Sequence, residues 1–230
     1  MNITNYMLNK LFLSLKTDKS SYLNAKLGKD FEDRIANYLN MSLGFRRILK
    51  QDIDIVSWKA IKNHVQDKLA TNFINIPNKK LIRSYIYQPY GSQQFPDYII
   101  FTDKKVIPLE IKFSSKSQSK PIWNSNVPKA DAFYIFGSYG LNDITFFCGD
   151  DIITGQHRKA LYGFFEDIRK LQNEIREEMP LLDETNRGFT PYIRSAFDQR
   201  KHKKTVESSF FSHSDRKKVE DLAIRKSDEL

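Results

Sequence analysis

Pro96-Asp97-Tyr98-Ile99-Ile100-Phe101-Thr102, then Asp103-Lys104-Lys105, then Val106-Ile107-Pro108-Leu109-Glu110-Ile111-Lys112-Phe113: two β-branched and aromatic runs flank a short polar break. The composition predicts two strands, Asp97–Thr102 and Val106–Phe113, joined as a tight hairpin. With the turn centred between Asp103 and Lys104, paired residue numbers sum to 207, and Asp97 lies opposite Glu110. Directly opposed Cβ atoms are about 5 Å apart. Lys112, two residues on, shares the face of Glu110, while Leu109, Ile111 and Phe113 point into a core. Pro108 has no N–H to give to a ladder, so this strand is expected to carry a bulge or a free edge there.

Two carboxylates at that separation can share one Mg²⁺, which binds oxygen at about 2.1 Å. A cation so held stabilises charge on a phosphoryl transition state and acidifies an attacking water, and a nearby ammonium orients that water or neutralises developing charge. Pro-Asp and Glu-x-Lys are each common on solvated strands; their matched register makes them a candidate hydrolytic site.

Outward from the hairpin, Leu27, Phe31, Ile35 and Leu39 step by four and predict a helix from Lys29 to Asn40, with Gly44 as its stop. The residues before it read as a loosely ordered lead. A second helix is expected from Ile53 to Ala70. Alternation of Ile82, Ser84 and Ile86 with Arg83, Tyr85 and Tyr87 predicts a strand, and Ala132–Phe136 and Ile144–Cys148 predict two more. Leu161, Phe164, Phe165, Ile168, Leu171, Ile175 and Met179 predict a helix over His157–Met179 that packs on the sheet and ends at Pro180. Past Pro180 the chain turns polar, with a short helix possible over Asp215–Lys226. The expected fold is α/β, a mixed sheet flanked by helices. One domain of 230 residues is expected, with a core over 27–180 and a basic extension over 181–230.

Lys and Arg number 37 against 28 Asp and Glu, a balance suited to a polyanionic partner. Six lysines lie between Lys104 and Lys129 against Glu110 alone, and a second basic run spans Arg187 to Lys204. Gly91-Ser92-Gln93-Gln94 precedes the Asp97 strand, and Ser114 to Asn126 follows the Glu110 strand. Both segments carry amides and hydroxyls suited to base edges. Candidate DNA contacts are therefore Ser92, Gln93, Gln94, Lys116, Lys120, Asn124, Asn126, Arg200, Lys201 and Lys203. The single Cys148 excludes a disulfide framework and reads as a buried, inert thiol. The four histidines lack metal spacing. No apolar run approaches the roughly 20 residues of a membrane span, and Leu11-Phe12-Leu13 is too short for a secretory signal. A soluble, cytoplasmic protein is expected.

Pro96-Asp97, twelve intervening residues, then Glu110-Ile111-Lys112 resembles the signature of the PD-(D/E)xK nucleases, in particular type II restriction endonucleases. The resemblance covers about seventeen residues strictly. It implies a restriction-endonuclease-like core and Mg²⁺-dependent cleavage of double-stranded DNA. Asp97, Glu110 and the Ile111 carbonyl would be metal ligands, and Lys112 would position the water. It also implies an acid on the preceding helix, for which Glu32, about 60° from Ile35 around the helix, is the match and Asp33 the alternative. A homodimer on a two-fold DNA site is expected, with any host-protecting DNA methyltransferase a separate activity. The same superfamily includes junction resolvases and repair nucleases, and a DNA-binding module with a retired core is the non-enzymatic alternative.

Overall fold

The computed structural model describes residues 7–24, 27–124, 126–182, 185, 187–199 and 208–230. At its centre is a six-stranded mixed sheet flanked by helices. The strands, in spatial as in chain order, are β1 (Arg46–Arg47), β2 (Ser84–Tyr87), β3 (Tyr98–Phe101), β4 (Val106–Ser114), β5 (Phe133–Ser138) and β6 (Asp143–Cys148). The pairs β1–β2 and β4–β5 are parallel and the other three antiparallel.

The β3–β4 hairpin has the register read from the sequence: Tyr98 faces Leu109 and Phe101 faces Val106. No bulge occurs at Pro108, which pairs regularly with Ile99. The reason is alternation. Thr102 donates its N–H to the Lys105 carbonyl, so Ile99 and Pro108 form a non-hydrogen-bonded pair. Pro108 nitrogen therefore points toward β5, whose ladder with β4 begins only at Leu109. The missing donor falls on a free edge.

Three helices precede β1: α1 (Met7–Thr17), α2 (Lys19–Leu23) and α3 (Gly28–Asn37). The expected loose lead is thus helical. Leu8, Leu11, Phe12 and Leu15, spaced three and four apart, are buried against Phe133 and Phe146. Helix α3 is shorter than expected because it passes into a π turn over Tyr38–Ser42; Gly44, at φ 70°, follows in the left-handed region. Helix α4 (Ile55–Gln66) starts where Asp54 accepts from Ser57 N–H at 2.8 Å. Its Ile61 and Val65 pack on Ile99 and Phe101, the sheet face opposite α1 and α3.

Helix α5 (Gly155–Leu182) departs from expectation twice. Pro180 lies inside its last turn rather than ending it. Its apolar stripe does not pack on the sheet: Phe164, Leu171 and Ile175 are 59%, 57% and 40% exposed. What the helix buries is Arg158, Tyr162 and Gln172. The Arg158 guanidinium donates to the Pro128 and Ile153 carbonyls at 2.8 Å, tying the start of α5 to the chain entering β5. Helix α6 (Arg216–Glu229) packs on β6 and α1, with Val219 and Ala223 buried. The packed core therefore extends beyond 27–180 at both ends. Among the described residues no helix is long and apolar enough to cross a membrane. Cys148 is buried, its thiol pushed up to about 11 by burial, as the apolar run around it implied.

Candidate active site

Asp97 sits one residue before β3, where the hairpin strands begin to separate. Its carboxylate accepts the Ile111 N–H at 2.7 Å, and its own N–H donates to Glu110 Oε2 at 3.2 Å. Glu110 Oε1 accepts from Lys112 Nζ at 2.7 Å. Asp97, Glu110 and Lys112 are thus tied together, partly through the backbone, at the open end of a two-strand ladder. Beyond Tyr98 no residue of β3 remains to pair with Ile111, so the Asp97 carboxylate takes the place of a ladder acceptor. The Ile111 carbonyl lies on that same strand edge. Leu109 and Ile111 face the α1–α3 core, whereas Glu110 and Lys112 face the other side, beside their β5 partners Tyr134 and Phe136.

Helix α3 brings a third acid. Phe31 lies against Gly137 of β5, where a Cβ would fall 2.8 Å from the ring. That close approach seats α3 on the sheet and sends Glu32 past the strand ends. Glu32 accepts from the Tyr87 hydroxyl at 2.8 Å, and its backbone carbonyl accepts from the Tyr98 hydroxyl at 2.9 Å. Asp33 is exposed and does not line the cleft.

The cleft is about 300 Å³. Glu32, Asp97, Glu110, Ile111 and Lys112 line it together with five of the expected DNA contacts: Ser92, Gln93, Gln94, Asn124 and Asn126. Lys116 and Lys120 are not among its walls; the Lys120 ammonium is held by the Gln199 carbonyl and lies 3.9 Å from Asp198. Arg200, Lys201 and Lys203 lie outside the described residues. The parallel β4–β5 connection crosses the working face and places Trp123 beneath Lys112, whose ammonium is 5.7 Å from the ring centroid. Tyr87 holds Glu32 from β2, a contact between elements distant in sequence that left no local signal.

Burial pushes the Asp97 carboxyl up to about 8, with the Glu110 charge adding to the shift and the Ile111 hydrogen bond opposing it. Burial likewise raises Glu32, against the Tyr87 hydrogen bond. An all-oxygen donor set under mutual repulsion, in a partly dry cleft, fits a hard divalent cation. No group of three or more His, Cys, Asp or Glu side chains among the described residues is arranged to hold a metal. A cation would therefore rest on Asp97, Glu110, the Ile111 carbonyl and water, the few-carboxylate arrangement that suits Mg²⁺.

The raised Asp97 value has a consequence for stability. The protonated carboxyl is favoured by the fold, so its contribution is full below the unfolded value near 4 and is lost as pH rises through about 8. In EDTA, Asp97→Asn is expected to melt several degrees above the parent chain at pH 8–9 and level with it near pH 4, at roughly 2–4 °C per kcal/mol. Thermal unfolding across that range checks this; parallel curves for the two proteins would refute it.

Comparison with family models, curated proteins and solved structures gives no match to the chain, so geometry and chemistry carry the functional argument.

Proposed function

We propose that the chain is a Mg²⁺-dependent, sequence-specific endonuclease for double-stranded DNA, of the restriction type, built on a restriction-endonuclease-like core. The observation that carries this reading is the mutual pinning of Asp97, Glu110 and Lys112 around the Ile111 peptide at the open end of the hairpin. A divalent cation bound there supplies charge neutralisation at a phosphate and an acidified water. The protein's own part is positional. Glu110 holds the Lys112 ammonium beside the acids, where it can orient a water or meet charge developing on phosphate oxygen. Asp97, fixed by a backbone N–H, keeps its second oxygen free for the cation. Glu32, held by the Tyr87 hydroxyl and with its carboxyl raised by burial, would serve as a general base toward the attacking water.

Amides converge on the same cleft from Gln93 and Gln94 on one side and from Asn124 and Asn126 on the other, in the chemistry that reads base edges. A two-fold DNA site calls for two copies of the protein. The exposed stripe of Phe164, Leu171 and Ile175 on α5 is an apolar surface on which they could meet.

The test is incubation of the purified protein with long unmethylated duplex DNA, in Mg²⁺ or EDTA, with products resolved on a gel. Discrete Mg²⁺-dependent bands are expected. A smear would replace sequence specificity with a non-specific or end-dependent nuclease. Intact linear DNA with cutting of branched substrates would favour a junction or repair enzyme. Intact DNA under every condition would leave a binding module.

A further inference from the structure

Beside the acidic cleft lies a larger groove of about 460 Å³, between α5 and the segment 192–195. Its cations are Lys68, Arg169, Arg176 and Arg194, and no carboxylate lines it. Among the described residues none of these four forms an ion pair; Arg169 donates to the Ser195 hydroxyl at 2.9 Å.

Three features show that the cations are set in place. Arg169, Gln172, Asn173 and Arg176 stand at i, i+3, i+4 and i+7 and so share one face of α5. The two arginines are separated by about 10 Å along the axis, roughly the rise of three base pairs. The opposite wall is fastened: Ile193 N–H donates to the buried Gln172 side chain at 3.1 Å, and Phe197 N–H to the Trp123 carbonyl at 2.9 Å. Lys68 rests over the Tyr162 ring, 5.0 Å from its centroid. Burial lowers the Lys68 value and the Arg169 charge lowers it further, with Glu166 offsetting part, and an anion in the groove would counter the repulsion between the two cations.

The groove is continuous with the acidic cleft. Arg194 and Asn126 line both. A phosphate chain leaving the Asp97–Glu110 acids therefore meets Arg194 next, then the arginine face of α5.

We propose that this groove is the track for the sugar-phosphate backbone of duplex DNA flanking the cleavage point, with Lys68, Arg169, Arg176 and Arg194 as its phosphate contacts. The inference rests on the nuclease reading for the identity of the polyanion, and it assigns a binding surface of which the basic runs of the sequence mark only Arg194.

The experiment is a fluorescence-anisotropy titration of labelled duplex DNA in EDTA over a salt series, with the full chain. Each of Arg169→Ala, Arg176→Ala and Arg194→Ala is expected to weaken binding and reduce the slope of log K against log[salt] by about 1. The triple variant is expected to lose roughly 10²–10³-fold. Lys10→Ala and Lys59→Ala, which line neither the groove nor the cleft, serve as controls and are expected to bind as the parent chain does. Circular dichroism verifies that the variants fold. Unchanged affinity and slope in the triple variant, or equal losses in the controls, would overturn the proposal, as would absence of duplex binding or a preference for RNA. Because binding is read without metal, the two readings fail separately. Groove-dependent binding without Mg²⁺ cleavage removes the nuclease and keeps the track. Undiminished cleavage and affinity in the triple variant removes the track and keeps the nuclease.

Discussion

Asp97→Ala, Glu110→Ala and Lys112→Ala proteins are expected to lose Mg²⁺-dependent DNA cleavage by roughly 10³-fold or more, while duplex affinity in EDTA stays within a few-fold of the parent chain. The reason lies in what each group touches. Asp97 and Glu110 are the two carboxyl groups that meet across the hairpin, and loss of either would remove one of the two acids proposed to hold the cation. Lys112 is held by Glu110 and lies over Trp123, so its removal leaves the acids in place and deletes the ammonium bonded to Glu110. Metal-free affinity should rise slightly in the acid variants, since carboxylates repel phosphates. Single-turnover cleavage beside anisotropy separates chemistry from binding. Parent-like turnover by any of the three would end the site assignment, whatever becomes of the fold.

The second large effect concerns stability. Asp131→Ala is expected to cost roughly 3–5 kcal/mol, a drop of about 10 °C in melting temperature. The Asp131 carboxylate has no solvent exposure; it accepts from the buried Lys129 ammonium and lies 2.5 Å from His64 Nε2. Burial pulls the Lys129 value down and Asp131 opposes that, so removing the acid leaves an unpaired buried cation. A Lys129→Met/Asp131→Leu pair is expected to recover most of the loss, because neither charge then needs a partner. The same segment borders the cleft: the Lys129 backbone N–H donates to the Tyr134 hydroxyl, and Tyr134 is the β5 neighbour of Glu110. Denaturant unfolding measures both proteins. A cost below about 1 kcal/mol for Asp131→Ala would mean that the ion pair contributes little beyond its own desolvation.

Much of the sheet was legible in local pattern. A hairpin's register follows from its turn, so the facing of Tyr98 with Leu109 needed no tertiary information, and the pairing of Asp97 with Glu110 followed. Helix α1 is equally written in the three-and-four spacing of Leu8, Leu11, Phe12 and Leu15, which outweighs the polar residues between them. Helix α5 shows the limit of such spacing. A stripe at helical spacing states that a helix forms, not which surface covers it, and here the sheet does not.

By itself, then, the sequence determined the elements whose signals are short-range: the β3–β4 register, the shared face of Glu110 and Lys112, the strands around Cys148, and the helix carrying Glu32. Only the tertiary structure decided which distant groups meet. Tyr87 of β2 against Glu32 of α3, Asp131 against His64, and Lys68 beside Arg169 and Arg194 are contacts between segments far apart in the chain. No periodicity encodes them, because periodicity reports which side of one element is apolar, whereas such meetings depend on how whole elements are stacked. Two of the cleft's three acids were readable in one hairpin; the cations of the groove were assembled from three segments, and only folding put them on one surface.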